Sequence, residues 1–215
     1  MPDLNFEVTG AEAVSYAASP LLALKLHITT TSDVQFHSVL LRCQIMIETT
    51  RRHYTPEDQA RLLDLFGEPD RWGQTLRSML WTHVNLVVPA FQNNVAIDLP
   101  VPCSFDFNVA GTKYFYALQD GEIPLSLLFS GSIFYATSEA PFQVSQISWE
   151  KEAKYRLPVQ VWKDMMEHYY PNTAWLCLRK DMFDRLYEFK MQNGIPTWEQ
   201  TLERILPDEK DKLLG

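Results

Sequence analysis

The 215-residue chain carries 19 Lys and Arg against 27 Asp and Glu, a net charge of −8, which leaves no concentration of cations for nucleic acid or an anionic membrane. Apolar residues make up 46% and charged residues 21%, a balance that excludes a disordered chain and suffices for a full core at this length. The first ten residues lack the basic head and apolar core of a secretory signal, and no run of about 18 apolar residues occurs, so membrane insertion is not expected and the cytoplasm is the expected location.

From the N-terminus, apolar residues alternate with polar ones at Leu4, Phe6, Val8; at Leu22, Leu24, Leu26, Ile28; and at Val39, Leu41, Cys43, Ile45, Ile47. Successive strand residues face opposite sides, so each run reads as a strand with one buried face. Thr55, Pro56, Asp58 and Gly67 then supply an N-cap, a first-turn proline, an acid at the capping-box position and a stop, predicting an inserted helix near 56–66 with Ala60, Leu62, Leu63 and Phe66 inward. A weaker alternation follows at Val84, Leu86 and Val88.

The longest alternation runs from Val95 to Val109, with Val95, Ile97, Leu99, Val101, Cys103, Phe105, Phe107 and Val109 on one face and Asp98, Asp106 and Asn108 on the other. Pro100 and Pro102 cannot donate ladder hydrogen bonds. The run is therefore expected as two strands joined at the prolines, between sheets or along an edge. Residues 109–119 fit a helix or a strand, Asp120-Gly121 reads as a turn, and alternation resumes from Leu125 to Tyr135 and weakly over Phe142–Trp149. Only six charged side chains occur between 78 and 141, so the outward faces there are weakly polar and helices are expected to cover them.

From Leu157 the spacing becomes helical through Val161, Trp162, Met165, Met166 and Tyr169. Trp175–Leu178 reads as a short strand, Met182, Phe183, Leu186 and Phe189 as a helix stopped by Gly194, and Pro196, Thr197 and Gln200 as the capped start of another. Alternation with one polar face marks antiparallel sheets. The expected fold is α+β: an antiparallel β-sandwich or open barrel over 1–150 with the inserted helix, and a helical extension over 151–215 packed on the sheet as one compact unit.

No catalytic motif emerges. Ser130 stands in Phe-Ser-Gly-Ser within a strand, without the nucleophile elbow of a serine hydrolase. Cys43, Cys103 and Cys177 are widely spaced among apolar neighbours and read as reduced, buried thiols. His27, His37, His53, His83 and His168 form no ligand pair, and eight scattered glycines form no phosphate cradle. No metal and no cofactor are expected. An enzymatic reading has to assemble His83, Asp98 and Asp106 from distant positions. The most unusual composition is the gathering of Arg51, Arg52, Trp72, Trp81 and His83 around the inserted helix, residue types enriched at binding hot spots, although Trp72 and Trp81 also fit as packing between helix and sheet.

The segments LRCQIMIE at 41–48, RRHY at 51–54, LLDLFGEPDRWG at 62–73, LWTHV at 80–84, DLPVPCSFDF at 98–107, DGEIPLSLLFSGSIF at 120–134 and YRLPVQVW at 155–162 resemble a bacterial family of about this length, catalogued as a domain of unknown function. Its members are often encoded beside uptake nickel–iron hydrogenases. The resemblance implies an accessory role near those enzymes and brings no catalytic residues; the lack of paired cysteines argues against the chain itself holding a cluster or nickel. The expected function is a non-catalytic accessory or protein-binding module with a protein partner, a hydrogenase or its accessory proteins being the candidates. The alternatives are a small-ligand-binding or hydrolytic enzyme and a self-assembling subunit.

Overall fold

A computed structural model describes residues 2–104, 109–174 and 176–206. Among them, eight strands build two antiparallel sheets. β1 (Asn5–Ala13), β2 (Leu21–Thr29) and β5 (Asn94–Pro102) form a three-stranded sheet in the order β1-β2-β5. β3 (Gln35–Ile47) lies between β4 (Met79–Val88) and the long β6 (Glu122–Ala136). The other edge of β6 is divided: β7 (Gln143–Gln146) pairs with residues 132–135, and β8 (Glu152–Pro158) with 122–128. β1 runs beside β8 and β5 beside β4, so the sheets meet along both margins and the sandwich approaches an open barrel.

The alternation produces the interior as expected. Leu22, Leu24, Leu26 and Ile28 of β2 face Leu41, Cys43, Ile45 and Ile47 of β3 and Leu125, Leu127 and Phe129 of β6 in one buried cluster. Phe6 of β1 stacks on Phe129 of β6 at 4.2 Å between centroids, joining the sheets. Residues 109–119, ambiguous in sequence, form helix α4 (Val109–Ala117), once three shorter helices of the insertion are counted: α1 (Pro56–Arg61), α2 (Leu63–Phe66) and α3 (Trp72–Thr75). Phe115 of α4 lies between Trp81 of β4 at 4.9 Å and Trp162 at 5.0 Å. Trp162 belongs to α5 (Val159–Tyr169), which packs against β1, β2 and β8. Tyr169 there donates to the Val14 carbonyl and accepts from the Ala17 amide.

Several expectations need correction. Pro100 lies within β5 and Pro102 is its last residue, so the strand runs through the first proline and stops at the second. Cys103 N–H donates to the Pro20 carbonyl, so odd-numbered residues of β5 bond toward β2 and the even-numbered Pro100 and Pro102 turn their missing donors to the unpaired edge. Phe105, Asp106, Phe107 and Asn108, and the side chain of Val109, lie outside the described residues. In the insertion, Leu62 and Phe66 are buried but Ala60 and Leu63 are exposed. The cause is a break at Leu62, which ends α1 and starts α2, so the two short helices do not share one continuous stripe. Residues 152–158, read from sequence within the helical extension, form β8.

The chain divides after Thr173 into two compact units. In the second, α6 (Lys180–Gln192) and α7 (Trp198–Ile205) form a hairpin in which Trp198 meets Phe183 at 5.4 Å. Thr197 caps α7 by accepting from the Gln200 amide. Leu176–Leu178 carry no strand, and Trp175 lies outside the described residues. Cys177 is exposed, unlike Cys43 and Cys103.

Candidate functional site

Each side chain that β3 sends inward leaves its neighbours facing out. Leu40, Arg42 and Gln44 therefore project from the outer face of the five-stranded sheet. The antiparallel register places Val87, Asn85 and His83 of β4 opposite them on one side, and Ser132, Ser130 and Leu128 of β6 on the other. Gln146 of β7 extends the first row beyond Ser132. Polar contacts tie the rows together: Arg42 Nε donates to Asn85 Oδ1 at 3.2 Å, His83 Nε2 meets Gln44 Oε1 at 3.3 Å, and Gln146 Nε2 donates to Ser132 Oγ at 3.1 Å.

Two adjoining open clefts lie on this face. One, ≈ 570 Å³, is lined by Leu40, Val87, Gly131 and Gln146 among others; the second, ≈ 530 Å³, by Gln44, His83, Leu128 and Trp149. Both include Arg42, Asn85 and Ser130, and no carboxylate lines either. Gly131 has φ +139°, and a Cβ there would run into the Leu40 carbonyl oxygen, so only glycine fits the close approach of β6 to β3. Trp149 is 90% exposed, Val87 62% and Leu40 48%, with Phe142 and Val144 also exposed toward the β7 end. Helices α1–α5 leave this part of the sheet, charge-poor across β4, β3 and β7, open.

Of the five residues singled out in the sequence, only His83 belongs to that face. Trp81 is buried against Phe115. Trp72 is buried, with Nε1 donating to the Gly67 carbonyl and its ring edge-on to Tyr54 at 5.1 Å. Arg52 is enclosed by the insertion: Nη1 donates to the Glu122 carbonyl at 2.6 Å, and Nη2 to the Asp120 carbonyl at 2.5 Å and to Asp58 Oδ2 at 3.4 Å. Asp58 also closes the capping box on Thr55 and accepts from the Gln119 amide. Arg51 is exposed and lines, with Arg52, His53 and Arg156, a separate cleft of ≈ 460 Å³ whose cations are matched by Asp58, Asp120 and Glu122.

His83 and Asp98 of the enzymatic alternative do not converge. His83 stands on the outer face of the five-stranded sheet. Asp98 lies in the other sheet, 2.8 Å from Lys25, and Asp106 is outside the described residues. Cys43 and Cys103 are buried, and burial pushes both thiols up to about 12, far from the reactive thiolate a nucleophile requires. No group of three or more His, Cys, Asp or Glu able to hold a metal occurs among the described residues, and no helix among them is long and apolar enough to cross a membrane.

The sequence reading does not single out this face, because it expects helices to cover the weakly polar outward positions between 78 and 141. Its signal was present in the apolar outward residues Leu40, Val87 and Leu128 and in the low charge density between 78 and 141.

A family model described as a family of unknown function, DUF6084, matches residues 1–213. No curated protein matches the sequence. Among solved structures, a beta-glucosidase from Kluyveromyces marxianus aligns at 14% identity and a TM-score of 0.26, over 72% of this chain but only 15% of that one. A Bordetella pertussis protein assigned as ApaA aligns at 13% identity and a TM-score of 0.24, over 73% of this chain and 93% of its own. At those TM-scores neither likeness bears on function.

Proposed function

We propose that this chain, which belongs to the family of unknown function DUF6084 over residues 1–213, is a non-catalytic protein-binding module whose docking surface is the outer face of the five-stranded sheet. One observation carries this reading. A filled core presents on one side a face that is charge-poor across β4, β3 and β7 and the adjoining half of β6, with exposed Val87, Leu40, Leu128 and Trp149, a concentration of apolar surface that marks interaction sites. Trp149 and Arg42 are of the types that anchor interfaces. The clefts are open rather than enclosed, and the described polar groups do not converge as they do around a small substrate.

The family resemblance makes a nickel–iron hydrogenase or one of its accessory proteins, met in the cytoplasm, the first partner to test. Tagged protein should recover such a partner under gentle conditions, and the Val87→Arg and Trp149→Ala variants should not, while melting like wild type. Recovery of the chain alone by wild type, or equal recovery by both variants, would count against the reading.

A further inference from the structure

Arg42 is the only Lys or Arg in β3, β4, β6 and β7, and Glu122 the only acid; β8, the remaining strand of this sheet, adds Glu152 opposite Leu128, and that acid is already paired with Lys154 at 3.3 Å. Glu122 opens β6, eight residues from Ser130 and so about 26 Å along the strand, and lies 3.7 Å from Arg156. Arg42 makes no ion pair among the described residues. Its one hydrogen bond, from Nε to Asn85 Oδ1, fixes the guanidinium plane and leaves Nη1 and Nη2 open to solvent. Leu40, Val87 and Leu128 surround it on the same face. A wholly apolar partner would strip water from this cation and return nothing, which is costly. A partner bringing one carboxylate matches the open fork in geometry and charge.

Building on the sheet-face reading, we propose that the occupant of this face is a protein segment that presents a side-chain carboxylate, flanked by apolar residues, to the terminal nitrogens of Arg42. Lys154 of β8 is already matched by Glu152, so Arg42 offers a single unmatched guanidinium, which suits a carboxylate; phosphorylated segments are recognised by clusters of Arg.

The test is selection of a displayed library of random linear peptides, fused so that no free C-terminal carboxyl is present, against the intact chain. Enriched peptides should carry Asp or Glu between apolar residues. Arg42→Glu should weaken them by about tenfold to a hundredfold, and a Lys in place of the peptide's acid should restore binding to that variant, which a merely structural defect would not allow. Enrichment of acid-free peptides, or binding indifferent to Arg42→Glu, with Val87→Arg still abolishing it, would overturn the carboxylate assignment and spare the docking face. No enrichment, or peptides indifferent to both Val87→Arg and Trp149→Ala, would overturn the face and the assignment with it.

Discussion

Arg52 and Asp58 form an ion pair at 3.4 Å with side chains only 8% and 2% exposed. The pair fastens the start of α1 to the Asp120-Gly121 turn, because Arg52 also holds the carbonyls of Asp120 and Glu122. Arg52→Ala removes one partner and strands the other charge in the interior, at a cost of about 3–5 kcal/mol. Urea denaturation should show that loss, with Arg52→Lys less severe because the charge survives while the forked geometry does not. A loss of less than about 1 kcal/mol for the alanine variant would refute the staple.

Tyr54 donates its hydroxyl proton to the Thr49 carbonyl at 2.8 Å and receives one from Tyr114 at 2.8 Å, with both tyrosines buried. Tyr54→Phe leaves the Tyr114 hydroxyl and the Thr49 carbonyl without that partner and should cost about 1–3 kcal/mol. Because removing the second hydroxyl then relieves an unsatisfied donor, the double variant with Tyr114→Phe should lose less than the sum of the two single changes. Additive losses in a denaturation cycle would show that the hydroxyls act independently.

The buried thiols set an alkaline limit. Burial holds Cys43 and Cys103 protonated up to about 12 against an ordinary 9.0, so above pH 9 the unfolded chain sheds protons that the native state keeps. Stability is then fully present below pH 9 and falls as pH rises toward 12, by up to about 1.4 kcal/mol per pH unit for each thiol. Denaturation midpoints measured between pH 8 and 11 should decline, and a flat profile would contradict this. In the native protein a thiol reagent should label Cys177 rapidly and the other two only on unfolding.

Gly131 sits within β6 where a side chain meets backbone. With φ +139° and the Leu40 carbonyl in the way, Gly131→Ala should destabilise by at least about 2 kcal/mol and disturb the cleft beside Arg42. Thermal melts and peptide binding should both register the change. A neutral substitution would mean that β6 can part from β3 without loss.

Much of the fold was readable from local chemistry. Alternation marked the strands from Leu4 to Tyr135 and which side of each is buried, since strand side chains point to opposite faces by geometry alone. Thr55, Pro56, Asp58 and Gly67 bounded the insertion because caps and stops are local. β8 escaped because Glu152–Pro158 is short, charged and fused directly to α5. The sequence leaves Trp72 and Trp81 open between packing and a binding surface and groups Arg52 with them, because burial of such side chains depends on partners far along the chain, such as Glu122 and Phe115.

What the sequence determined by itself is therefore the period of each element and the identity of its inward face, consequences of backbone geometry acting over a few residues. What the tertiary structure decided is pairing. The registers of β3 with β4 and β6 bring Arg42, Asn85 and Ser130 side by side from positions 42, 85 and 130. A cross-strand neighbour is fixed by hydrogen-bond register between distant segments, and no local pattern encodes which outward residue meets which.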